Sequence, residues 1–147
     1  MNVLKIDLIG NDWVSDSELI SLSINSASSS EVLFTGRIDL HSLTEWLTEH
    51  EIAIRENIFP IENSNNFSLA ECAYYFYENV DADDDKAIDA MYEYRESHCL
   101  RFACRGYDFP DIYIGSNGGK SEISLHTNHM KWRHYFDINS FFSSFPR

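Results

Sequence analysis

The sequence predicts an α+β fold with a mainly antiparallel sheet. Three observations carry this: apolar residues alternate with period two over the first forty residues, the period lengthens to three-and-four through the middle, and it returns to two after His98. Strands and helices therefore fall in separate runs and do not alternate as βαβ units, which is the pattern of an α+β sheet. The expected order is three N-terminal strands, three central helices, about four C-terminal strands and a short terminal helix.

The first three strands are read from Leu4, Ile6 and Leu8, from Ile20, Leu22 and Ile24, and from Val32, Phe34 and Ile38. The turn chemistry of Gly10-Asn11-Asp12 and of the polar run 25–30 makes them an antiparallel meander. Helical spacing begins at Leu40, Leu43 and Leu47, with Trp46 beside them and Asp39 or Ser42 available as N-cap; this helix is expected to end near His50. Residues 58–66 contain Pro60 and a polar tail and read as a surface loop.

Ser68-Leu69-Ala70-Glu71 is a capping box, with Phe67 placed for a hydrophobic staple, so a second helix starts there. Its apolar stripe runs through Leu69, Cys72, Ala73, Phe76, Tyr77 and Val80. A third helix follows, with Ala87, Ile88, Met91 and Tyr92 expected inward and Asp83, Asp84 and Asp85 at its positive N-terminal end. Leu100, Phe102 and Cys104 then read as a strand. Ser116-Asn117-Gly118-Gly119 reads as a hairpin turn between Ile112–Ile114 and Glu122–Leu125. A last strand through Trp132, His134, Phe136 and Ile138 precedes a short helix with Phe141, Phe142 and Phe145.

A chain of 147 residues with 44% hydrophobic and 14% aromatic residues can bury one core, so residues 1–147 are expected to form one domain. The N-terminus has neither the basic start nor the long apolar run of a secretory signal, and no stretch is long and apolar enough for a membrane span. Cys72, Cys99 and Cys104 are an odd number without CxxC spacing. They read as small core residues in a reducing, cytoplasmic compartment.

The formal net charge is −13, and it is uneven. Residues 1–80 carry 13 acids against 3 bases, residues 81–96 carry 7 against 2, and residues 97–147 carry 4 against 6. Such a field repels nucleic-acid phosphate and anionic membrane and speeds encounter with a basic partner. The expected partner is therefore a protein, with neither nucleic acid nor membrane. The same acidity would also serve simple solubility.

Asp81, Asp83 and Asp85 start like a calcium loop, but Lys86 stands where that loop needs glycine and Tyr92 where it needs a bidentate glutamate. Those acids instead suit helix capping, a solvated face, or a partner's arginines and lysines. Asp81, Asp83, Asp84, Asp85, Asp89 and Glu93 are the candidate partner-binding residues. His98, His126, His129 and His134 lack any zinc spacing, and His126 and His129 are expected in a loop. No P-loop, GxSxG or GxGxxG occurs, and Cys99 beside His98 has no third group to orient it. No catalytic residue, metal or cofactor is therefore expected, and the chain is read as a binding protein, not an enzyme. Tyr74, Tyr75, Tyr77, Tyr92 and Tyr94 suit either a core boundary or an interface, with Phe76 and Tyr92 expected inside and Tyr75 or Tyr94 outside.

Tyr94-Arg95-Glu96, Arg101-Phe102-Ala103-Cys104-Arg105-Gly106, Pro110-Asp111-Ile112-Tyr113-Ile114-Gly115 and Glu122-Ile123-Ser124 with Trp132 together resemble immunity proteins of bacterial polymorphic-toxin and contact-dependent growth inhibition systems. The resemblance covers the chain from the first helix onward; the first forty residues fall outside it. It implies a cytosolic antidote that binds the toxic C-terminal domain of a delivered effector, often a nuclease, and blocks its active site or substrate access. It transfers no functional residue. Two other readings stand beside it: a histidine-dependent metal-binding enzyme, and an acidic adaptor in regulation.

Overall fold

The computed structural model describes residues 1–9, 17–62 and 66–144. The predicted turn at Gly10-Asn11-Asp12, residues 63–65 of the predicted loop, and Phe145 lie outside them. Strands β1 (Val3–Leu8), β2 (Glu18–Asn25) and β3 (Ser30–Ile38) form the expected antiparallel meander in that order. Helices α1 (Leu40–Glu56), α2 (Leu69–Asn79) and α3 (Asp85–His98) follow. A second three-stranded antiparallel sheet, β4 (Tyr113–Asn117), β5 (Lys120–His126) and β6 (Lys131–Tyr135), precedes α4 (Ile138–Ser144). The α+β class and the segregated element order are those the hydrophobic periods predict.

The alternation in the first sheet holds best in β2, where Ile20, Leu22 and Ile24 are all buried. In β3 the register shifts: Leu22 faces Phe34, but Ser23 faces Val32, so Leu33 is the extra residue of a bulge. That shift turns Val32 out to 59% exposure, against the strict alternation read from the sequence. Leu8, at the end of edge strand β1, is also exposed.

Helix α1 is capped by Asp39, whose Oδ1 accepts from the Ser42 amide at 3.1 Å. It runs six residues beyond the expected end at His50, because Ile54 continues the inward row of Leu43 and Leu47 and an Arg55–Glu51 pair at 2.9 Å braces the last turn. The polar His50-Glu51 step hid this continuation.

Leu100, Phe102 and Cys104 do not form a strand. Residues Leu100–Ala103 make a 3₁₀ turn, in which Phe102 N donates to Cys99 O and Cys104 N to Arg101 O. The period there is three: Leu100 and Ala103 are both buried. A stretch as short as Leu100-Arg101-Phe102-Ala103 reads equally well with period two or three, which is why the sequence misleads here. One strand-like contact survives, from Leu100 N to Ile112 O. Consequently the described residues hold three C-terminal strands where about four were expected. β6 also stops at Tyr135, so Phe136 and Ile138 lie beyond it and Ile138 opens α4.

The hairpin is as predicted: Asn117 pairs with Lys120 across Gly118 and Gly119, whose φ values of 61° and 82° are the left-handed pair a two-residue turn needs. Ile112, Ile114, Ile123 and Leu125 join Leu4, the β2 leucine and isoleucines, α1, and Phe141 and Phe142 of α4 in one apolar cluster. The opposite side of β4 contributes Tyr113 to a second cluster with Leu69, Ala70, Ala73, Met91, Tyr94 and Cys99. The second sheet is thus covered on both sides, and β5 is buried from Glu122 through Leu125.

That double burial sets the position of α2. Glu122 and Ser124, the polar positions of β5, meet the helix N-terminus: Leu69 N donates to Glu122 Oε2 at 2.7 Å and Ala70 N to Ser124 Oγ at 3.0 Å. Ser68 Oγ takes the Glu71 amide at 3.1 Å, the serine half of the predicted capping box. Three amides that a free helix end would leave unpaired are therefore met by side chains.

Candidate functional site

The six candidate acids occupy the α2–α3 connection and the outer side of α3, and all are exposed. Two have local duties. Asp81 Oδ1 accepts from Asp83 N at 3.0 Å, and Asp84 is the N-cap of α3, accepting from Ala87 N at 3.1 Å. Asp85, Asp89 and Glu93 follow at intervals of four and so share one side of the helix. Among the described residues none of the six enters an ion pair. Like charges at this spacing repel, so the row works slightly against its own helix.

Beside this row lies a groove of about 320 Å³ between the α1–α2 connection and α3, lined by Ile58, Pro60, Ala90, Glu93 and Ser97 among others. Ile58 is 81% exposed and Ile52, on the last turns of α1, 72%. An acidic row next to uncovered aliphatic surface is the composition of a protein-docking face, charge for steering and apolar area for affinity.

The tyrosines sort differently from the expectation. Tyr94 is buried and Tyr92 exposed, because α3 buries Met91, Tyr94 and His98, at spacings of three and four. The polar His98 concealed the end of that stripe. Its ring stacks on Tyr94 with centroids 3.9 Å apart, and its Nε2 lies 3.0 Å from Ala53 O of α1. Burial lowers its pKa, opposed by those carbonyl contacts. Tyr75 is exposed, as expected, and Phe76 is half-buried.

His126 closes β5, where a loop was expected, and packs 4.7 Å from Tyr74 and 5.5 Å from Tyr75. His129 is exposed in the following turn and His134 lies on β6. Among the described residues no three His, Cys, Asp or Glu side chains assemble as a metal-ion site. Cys99 and Cys104 are buried, and burial pushes each thiol up to about 12; Cys72 is half-buried and pushed up to about 11. All three therefore stay protonated at neutral pH.

Sequence reasoning passed over Glu122, which is fully buried and accepts from Leu69 N, Asn117 Nδ2 and Arg133 Nε. Its alternation with Ile123 and Leu125 resembles an ordinary solvated strand side, and the capping serine that marks the arriving helix end lies 54 residues away in the sequence. Among the described residues no helix is long and apolar enough to cross a membrane. No family model matches the chain, and neither a curated protein nor a solved structure matches it.

Proposed function

We propose that this chain is an immunity protein, which binds the C-terminal toxin domain of a delivered effector in the cytoplasm and neutralises it. The observation that carries the reading is the exposed row Asp81, Asp83, Asp84, Asp85, Asp89 and Glu93, outside any ion pair within the described residues, with the exposed Ile58 in the groove that Glu93 lines. A nuclease must hold phosphate and so presents a basic cleft; carboxylates spaced along a helix can occupy that cleft in place of phosphates. Ile58 then supplies apolar area that charge alone does not.

The test is co-expression with the C-terminal domain of the protein encoded immediately upstream, followed by growth rescue and co-purification at low and high salt. Rescue with a one-to-one complex whose association slows at high salt supports the reading. No rescue and no complex, with that domain toxic by itself, removes it for that partner.

A further inference from the structure

A second charged feature has the opposite sign. In a chain of net charge −13, Arg95, Arg101 and Arg105 fall within eleven residues, and the end of α3, the 3₁₀ turn and the reversal at Gly106 bring them around one groove of about 370 Å³. Phe102 and Tyr107 also line it, and no carboxylate does. The guanidinium carbons of Arg95 and Arg105 stand 5.4 and 5.1 Å from the centre of the Phe102 ring, and Arg95 is also 5.2 Å from Tyr77. Two cations on one ring repel each other, and an anion between them would lower that repulsion.

Their hydrogen-bonding needs point the same way. Arg95 Nε is buried and has no hydrogen-bond partner among the described residues. Arg101 pairs with Asp111 at 3.4 Å, leaving Arg95 and Arg105 outside any ion pair among the described residues. The Arg95 guanidinium also hydrogen-bonds Tyr77, but neither it nor Arg105 meets a carboxylate, and two such charges match a phosphate monoester, which carries about −1.5 to −2 at pH 7. A single carboxylate would neutralise one of them, as Asp111 does for Arg101. Asp39, Glu45 and Glu49 line a neighbouring groove that Arg105 shares, and Glu78 and Asp111 one that Arg95 shares. Screening over roughly 8 Å at physiological salt weakens the field of acids outside the groove, which has no carboxylate in its own lining.

We propose that this groove binds a small phosphate monoester, with the phosphate between Arg95 and Arg105 and the body of the ligand on Phe102 and Tyr107. The groove lies at the small end of ligand pockets, roughly 300 to 1,000 Å³, and so admits one phosphate with a ring-sized body. This assignment stands independently of the immunity reading.

Calorimetric titration of the full chain at physiological salt, with a nucleoside 5′-monophosphate, inorganic phosphate and acetate in turn, tests it. The expected result is saturable one-to-one binding of the monophosphate, weaker binding of inorganic phosphate, and none of acetate. Arg105→Gln, at an exposed position, should keep the urea midpoint and weaken the monophosphate about 10-fold. Absence of saturation with both phosphates overturns the proposal, as does unchanged affinity in Arg105→Gln. Equal affinity for the two phosphates overturns the part given to Phe102 and Tyr107.

Discussion

Glu122 and the acids of α3 carry the same functional group in opposite surroundings. Glu122 has no exposed surface, and its two oxygens take a helix amide, an asparagine and an arginine. The α3 acids are exposed and, among the described residues, bind no cation. Burying a carboxylate is costly unless donors meet it, so the donors around Glu122 tie α2, β4, β5 and β6 together. Beyond the Asp84 cap, the exposed row makes no such demand on the fold, and its charge stays open to solvent or to a partner. Acidity here does two kinds of work, and net charge alone does not separate them.

The largest expected effect tests the buried side. Glu122→Ala takes the carboxylate from Arg133, which keeps only the Asn66 carbonyl, and leaves the first amide of α2 unmet, and should cost about 3 kcal/mol or more in urea unfolding. Arg133 is only partly buried, so a loss below about 1 kcal/mol would place the pair with ordinary surface bridges. Next comes Gly115→Ala on neighbouring β4. The new Cβ would stand 2.9 Å from His98 Cδ2, 3.1 Å from the Tyr94 hydroxyl and 3.3 Å from Leu69 Cδ1, an overpacking worth roughly 1–3 kcal/mol. The Tyr94 hydroxyl is itself buried without a hydrogen-bond partner among the described residues, so Tyr94→Phe should be neutral or slightly stabilising. Combined with Gly115→Ala it should recover part of the loss, because one of the three close contacts disappears; strict additivity would show that the hydroxyl is not in the way.

His98 supplies the pH dependence of the same buried region. Its folded pKa is lowered from 6.5 by burial, so the unfolded chain binds more protons as the pH falls below that value. Stability is therefore full above about pH 6.5 and declines as the pH drops toward the lower folded value, where the slope ends. His126 is lowered too, first by burial and then by Lys131, and adds in the same direction. Urea midpoints at pH 7.5 and about pH 5.5 should show the decline, and most of it should persist in His126→Gln. A decline abolished by His126→Gln would locate the proton uptake at His126.

What was legible in the sequence follows local signals that one physical cause dominates. The β2 alternation, the Ser68 cap and the Gly118-Gly119 turn each have a single reading, and each is found. The 3₁₀ turn at Leu100 was not legible, because four apolar-rich residues fit two periods. Nor were Tyr94 and His98, whose burial depends on Gly115 leaving room across β4, a fact of tertiary packing. The acids of α3 were legible as exposed, since charge without a partner belongs in water. The arginine groove was not: Arg95, Arg101 and Arg105 come together only because the expected strand is a turn.

The smallest effect on stability separates the two kinds of acid most sharply. Asp89→Lys replaces the middle of a like-charged row, so Asp85 and Glu93 each gain an opposite charge one helical turn away, partly offset by repulsion from Lys86 three residues back. Stability should rise by a few tenths of a kcal/mol, about 0.5 at most, readable as a small gain in urea midpoint. Association with a basic partner domain should move the other way, slowing about 10-fold at low salt and much less at high salt. Opposite signs from one substitution would mean that the row is kept at a cost to the helix for the sake of encounter. A gain in stability with unchanged association would mean that these carboxylates only face solvent, and the docking surface would have to be sought elsewhere, first at Ile52 and Ile58.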